Sequence, residues 1–165
     1  MDAAARGCDR ACWDADGGGQ RGIYAVIEKA PASIIIPLER TGEFLYLIEQ
    51  FRYPVQRRFK EFPQGTWEIA DAVPEELAQG ELREETGLIA GRMTWLGEHW
   101  IAYGAMRQNQ HVYLAEELTM GEPDPDPEEQ DLTVHRASVA EFERMVLASE
   151  IMDNCSVAAW GLYKI

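Results

Sequence analysis

Glu81, Glu84 and Glu85 stand in the run GELREETGL, and a helix through that run gathers the carboxylates into an arc of about 100° with no matching cation on it. Like-charged pairs at i,i+3 and i,i+4 each cost about 0.2–0.5 kcal/mol, and Gly80 inside the helix costs roughly 1 kcal/mol more. A solvated surface helix has no need of this arrangement. A hard divalent cation does: Mg²⁺ or Mn²⁺ prefers carboxylate oxygens, keeps waters for substrate phosphates, and turns the repulsion into coordination.

The elements that must position these acids are legible around them. Pro74 suits a first helical position, Glu75 and Glu76 put negative charge in the first turn, and Gly87 suits a left-handed stop, so a helix is predicted over Pro74–Thr86. Ahead of it, EFPQGTWEIAD carries Pro63 and Gly65, which impose a loop whose carbonyls can face the acids.

With Gly65, Asp71, Glu81, Leu82, Glu84, Glu85, Gly87 and Leu88, the segment 65–88 resembles the Nudix box. That pattern is Gly, five residues, Glu, seven residues, then Arg-Glu-hydrophobic-x-Glu-Glu-x-Gly-hydrophobic. Counted forward from Gly65 the acid position falls on Asp71; counted back from Glu81 it falls on Ala72, so the loop carries one extra residue. Gly80 stands where the family has Arg. Beyond the box, QFRYP at 50–54, EFPQG at 61–65, EEQDL and SEIMDNCSVAAWGL look similar to the ADP-ribose pyrophosphatase branch of the family.

The resemblance implies a Nudix domain over 22–165, an α/β fold with a mixed sheet sandwiched between helices. It implies a hydrolase that cleaves the pyrophosphate of ADP-ribose or another nucleotide sugar to a nucleoside monophosphate and a sugar phosphate. Mg²⁺ (or Mn²⁺) would be held by Glu81, Glu84, Glu85 and the Gln64 carbonyl. Arg52 and Glu61 would line the substrate site, and Glu128 or Glu129 would join Glu84 in catalysis by activating water. A homodimer is implied as well. Two alternatives stand beside this expectation: a catalytically weak nucleotide-binding or regulatory module, motivated by Gly80 and the extra loop residue, and a nucleoside triphosphate pyrophosphohydrolase.

Length and composition agree with one compact enzyme domain. At 165 residues and 46% hydrophobic content the chain suits a single core. A net charge of −14 repels nucleic-acid backbones and anionic membranes, so an anionic nucleotide must be met by metal and by local cations. Arg52, Arg57, Arg58 and Lys60 form the dense basic cluster, just before the metal loop. No apolar run reaches the ~18 residues needed to span a bilayer, and no hydrophobic signal core opens the chain, so a cytoplasmic protein is expected. Cys8, Cys12 and Cys155 are read as reduced thiols.

Along the chain, Met1–Arg21 is Ala-, Asp- and Gly-rich and is read as a mobile tail. IYAVIEK, ASIIIPL and FLYLIEQ are expected as neighbouring strands with a turn at Thr41-Gly42, followed after the helix by strands in MTWLGEHWIA, QHVYLAEEL and LTVHRA. TMGEPDPDPEEQ is a loop. Ser138 with Glu141 forms a capping box for a helix to about Leu147, and Asp153 or Asn154 starts a last helix. His99, His111 and His135 fit packed or edge positions in strands, whereas Trp67 and Tyr103 could stack on a base or ribose.

Overall fold

The computed structural model describes residues 24–66, 73–121 and 131–165, with side chains from Val26 onward, and ahead of them the backbone of short strands within 8–21. Those strands are β1 (Cys8–Asp9), β2 (Cys12–Trp13) and β3 (Gln20–Arg21). They are followed by β4 (Tyr24–Ala25), with which β1 pairs, while β2 pairs with β3. The segment expected as one strand from Ile23 to Lys29 is divided, because β5 (Ile27–Glu28) leaves β4 to run parallel to a later strand, Met106–Arg107.

The centre of the domain is β6 (Ala32–Pro37), buried at every position. A continuous apolar run of this kind belongs to a strand covered on both faces. Its alternation divides the core: Ile34 and Ile36 face one layer, and Ile35 faces the other. The chain turns at Gly42, which adopts φ 71° and donates its N–H to Glu39 O at 2.8 Å, and enters β7 (Phe44–Arg52). The β6–β7 hairpin has ladder pairing only at the Leu38–Leu45 bridge before the two strands diverge into separate sheets. The expectation that they lie side by side is therefore corrected: the hairpin opens after its first bridge.

After β7 come β8 (Arg57–Glu61) and β9 (Gln64–Gly65), then α1 (Pro74–Thr86). The second half holds β10 (Leu88–Trp100), β11 (Met106–Arg107), β12 (Asn109–Met120), β13 (Thr133–Ser138), α2 (Val139–Leu147) and α3 (Asn154–Lys164). Among the described residues, one mixed sheet has the order β10-β12-β6-β9 and an antiparallel sheet the order β13-β7-β8. In the mixed sheet β12 runs parallel to β6, while β10 and β9 are antiparallel additions at its edges. β10 begins directly after the Gly87 stop, five residues earlier than the apolar pattern announces, because Leu88 is already paired with Met120.

Helices cover both faces. Ala78 and Leu82 of α1 pack with Ile35, Tyr113 and Ala115 on one side. Phe142 and Met145 of α2 and Cys155, Ala159 and Trp160 of α3 pack with Ile34, Ile36, Val112 and Leu114 on the other. Phe62 joins that layer, its ring stacked on Phe142 at 5.0 Å. The capping expectations hold: Ser138 accepts from Glu141 N, and Gly87 closes α1 in the left-handed conformation at φ 72°. The result is the α/β/α arrangement expected of the sequence. No helix among the described residues is long and apolar enough to cross a membrane.

Phe142 is fully buried, so Phe142→Ala should cost roughly 3–5 kcal/mol, read as a lowered urea midpoint with unchanged m-value.

Candidate functional site

The acidic helix presents its carboxylates inward. Glu81 is 7% exposed and Glu85 1%, whereas Glu84 is half-buried on the same face. Burial of such groups costs several kcal/mol per ion unless partners compensate, so the neighbours matter. The first is β9. Gln64 N–H donates to Glu85 Oε2 at 2.9 Å, and a Cβ built on Gly65 would coincide with the Glu81 carboxylate. Only glycine leaves that carboxylate room against the strand. The short loop strand, held to β6 by the Ser33–Gly65 and Ile34–Gln64 pairs, thus lies directly on the acidic face.

A cation reaches the site from β7. Arg52 is ion-paired with Glu61 at the end of β8, its Nε donating to Glu61 Oε2 at 3.3 Å. Burial opposes the charge of Arg52, yet Glu61, with Glu85 and Asp153 behind it, outweighs this and raises its pKa. Glu61 itself is 2% exposed. Burial pushes its carboxyl up to about 6 against the pull of Arg52 and of Gln50, whose Nε2 donates at 2.9 Å. A carboxyl raised this far by desolvation beside a specific cation marks a functional cleft more often than a surface.

The dense basic cluster read from sequence is thereby divided. Arg52 serves the site, while Arg58 turns outward to bind Glu49 Oε1 at 3.0 Å and Asp131 Oδ2 at 2.6 Å. Arg57 lies over the Phe59 ring at 5.5 Å.

Asp153 enters the site although the sequence marked it only as a helix start. Its Oδ2 accepts from Ser156 N at 2.8 Å, Ser156 Oγ at 2.6 Å and Gln64 Nε2 at 3.2 Å. Phe62 N in turn donates to Ser156 Oγ at 2.8 Å. One N-cap therefore ties α3 to the loop that carries Gln64. The available signal was the Asp-x-x-Ser spacing of a cap; nothing local connects it to residue 64.

Of the other expected residues, Tyr103 is 86% exposed and lines a cleft of about 300 Å³ with Trp100, Arg107, Met106, Ala105 and Val26. Trp100 carried no functional expectation. The wall of this cleft is joined to the site by Asn154 Nδ2 donating to Ile101 O at 3.4 Å and by Gln108 Nε2 donating to Thr66 Oγ1 at 3.2 Å. His99 and His111 lie on β10 and β12 and His135 on β13, as the packed or edge reading expects. Trp67, Asp71, Ala72, Glu128 and Glu129 lie outside the described residues. Cys155 is a buried free thiol pushed up to about 12 by burial.

The donor set suits a hard cation. Two buried carboxylates one helical turn apart, and a glycine that clears space beside one of them, gather oxygen donors of the kind a divalent ion prefers. Among the described residues no three His, Cys, Asp or Glu side chains are arranged to enclose an ion by themselves. Backbone, water and substrate oxygens would complete the shell, which is the habit of Mg²⁺ rather than of a protein-caged metal.

A NUDIX domain model matches residues 28–154. The chain belongs to the NUDIX domain family. This Nudix domain is 34% identical over 134 residues to an ADP-ribose pyrophosphatase of Mycobacterium tuberculosis (strain ATCC 25618 / H37Rv), an alignment covering 81% of the chain and 64% of that relative. It is 29% identical over 128 residues to an ADP-ribose pyrophosphatase of Bacillus subtilis (strain 168), covering 77% and 69%. The chain thus spans about two thirds of the length of these relatives. The solved structure titled "Crystal structure of ADP compounds hydrolase" shares the fold, with a TM-score of 0.73, 20% identity, and 88% and 78% of the two chains covered.

Two outcomes follow from the geometry. Gly65→Ala should destabilise the protein by roughly 1–3 kcal/mol, because the added methyl must displace the Glu81 carboxylate; chemical denaturation checks it. For Glu61, the folded value of about 6 lies above the ordinary 4.5, so its stabilising contribution is full below the ordinary value and is lost as pH rises through about 6. The stability of the wild type relative to Glu61→Gln should therefore fall by roughly 2 kcal/mol between pH 4.5 and 7, measured by urea titration at each pH.

Proposed function

We propose that this Nudix domain is a divalent-cation-dependent hydrolase of nucleoside diphosphate derivatives, acting on ADP-ribose or another nucleotide sugar. The observation that carries this reading is the Glu81–Glu85 pair, buried against Gln64–Gly65 and within electrostatic reach of Arg52. Such a face suits a cation that would neutralise a pyrophosphate. The ADP-ribose pyrophosphatases at 34% and 29% identity support the substrate class.

When bound, Mg²⁺ or Mn²⁺ supplies neutralisation of the pyrophosphate charge and activation of water. Glu81, Glu84, Glu85 and the Gln64 carbonyl would hold it. Arg52, aimed by Glu61, orients the anionic substrate, and above pH 6 Glu61 is itself ionised and keeps Arg52 in place. The exposed rings of Tyr103 and Trp100 give the neighbouring cleft faces on which a base or ribose can stack. Glu128 or Glu129 would act as general base. The chain returns from that acidic loop at Asp131, which Arg58 grips through both its side chain and its carbonyl, the latter at 2.9 Å. Water attacks one phosphorus and the bridging oxygen leaves with the other, so that ADP-ribose would yield AMP and ribose 5-phosphate.

A homodimer belongs to this proposal. It is supported by β10, thirteen residues long at the edge of the mixed sheet, with Ile89, Trp95 and Trp100 exposed.

A weakly catalytic binding module is the second reading, favoured by one observation. Gly80 leaves a concavity of about 250 Å³ lined with Gln79, Arg83, Ile89 and Ala90. Product analysis with ADP-ribose and Mg²⁺ separates the two. Turnover with release of AMP supports the hydrolase, and Glu85→Gln should abolish it while the circular dichroism spectrum stays unchanged. Wild-type turnover in that variant would sink the assignment, and tight binding with no product would favour the second reading.

A further inference from the structure

A line of side-chain amides leads away from Asp153. Gln64 Nε2 donates to Asp153 Oδ2 at 3.2 Å, Gln110 Nε2 donates to Gln64 Oε1 at 2.8 Å, and Gln110 Oε1 stands 2.9 Å from His99 Nε2. Gln110 is 1% exposed, so its amide must find its partners within the protein. The direction of the line is not free. An ionised carboxylate only accepts hydrogen bonds, and the same Oδ2 already takes donors from Ser156 N and Oγ. Gln64 must therefore turn its NH₂ toward Asp153 and its oxygen toward Gln110. Gln110 must then present NH₂ to Gln64 and oxygen to the ring. His99 Nε2 is left as a donor.

The other ring nitrogen gives an independent check. His99 Nδ1 is buried and has no hydrogen-bond partner among the described residues. An orphaned acceptor is less costly than an orphaned N–H, and placing the proton on Nδ1 would also set the Nε2 lone pair against Gln110 Oε1. Both ends of the line select the same tautomer.

We propose that His99 is a positioning residue. Held as the Nε2–H tautomer, it locks the Gln110 and Gln64 side chains in one orientation, and the fixed Gln64 in turn aims its backbone N–H at Glu85 Oε2. The proposal rests on the reading of Glu85 as a metal carboxylate. In such sites the groups behind the ligand set its orientation, and their removal costs 10- to 100-fold in metal affinity or activity. His99 is adjacent to Trp100, which lines the aromatic cleft, so the line joins the wall of that cleft to the acidic face.

Two measurements on the full chain test this. Long-range ¹H–¹⁵N correlation of the imidazoles, with the His99 signals assigned by their loss in His99→Gln, should show a single Nε2–H tautomer in the wild type and a tautomer mixture in Gln110→Met. Mn²⁺ affinity, taken from the free Mn²⁺ signal in paramagnetic resonance and restricted to the component lost in Glu85→Gln, should fall roughly 10-fold in His99→Leu and be largely restored in His99→Gln, which keeps an N–H donor. A merely structural histidine would lower thermal stability in His99→Leu and leave Mn²⁺ affinity unchanged, and that result overturns the positioning role. An Nδ1–H tautomer or a mixture in the wild type overturns the directed line itself. Absence of any Glu85-dependent Mn²⁺ binding in the wild type overturns the metal reading and the positioning role with it, while the tautomer result still decides the line.

Discussion

Two carboxylates of like charge, one helical turn apart and both withdrawn from water, are the constraint around which this domain is arranged. Burial of Glu81 and Glu85 is costly for a bare helix, since i,i+4 repulsion that is small in solvent grows as the local dielectric falls. What makes the arrangement tolerable comes from elsewhere in the chain. Gly65 removes the Cβ that would occupy the place of the Glu81 carboxylate, Gln64 donates its amide to Glu85, and Arg52 brings positive charge from the neighbouring hairpin. Each depends on β9 lying on α1, and β9 lies there because it pairs with the fully buried β6.

The second organising element is the start of α3. Asp153 caps the helix as its sequence position demands, yet the same oxygen also holds Gln64, while Ser156 accepts from Phe62 N. Phe62 anchors the aromatic layer with Phe142. The loop that faces the acids is thus clamped from one side by core packing and from the other by a cap. A loop so held can keep charged groups in place without relying on the groups themselves for order.

The acidic triad, the helix that carries it, its Pro start and Gly stop, and the Ser138 cap were all legible from local pattern, because propensity, capping and i,i+4 spacing act within a turn or two of chain. Strand β6 was legible as a run of buried β-branched residues, although its partners were not. The sequence pattern puts it beside β7, whereas long-range pairing sets it between β12 and β9. Arg52 and Arg58 look alike in sequence and have different tasks, since Arg58 pairs with Phe51 rather than with Arg52 and so lies on the opposite face of the β7–β8 pair. Asp153 is legible only as a helix start within a family-like run, and Gln110 and His99 give no functional signal.

By itself, then, the order of residues determined the local chemistry: which helix is acidic, where it begins and ends, and which family pattern it resembles. The tertiary structure decided which of those acids leave water, which arginine answers them, and in which direction the amides behind them point. The physical reason is range. Caps and helical repeats involve residues a few positions apart, whereas the Arg52–Glu61 ion pair and the Gln64–Asp153 hydrogen bond form only after the sheet has brought their strands and helices together.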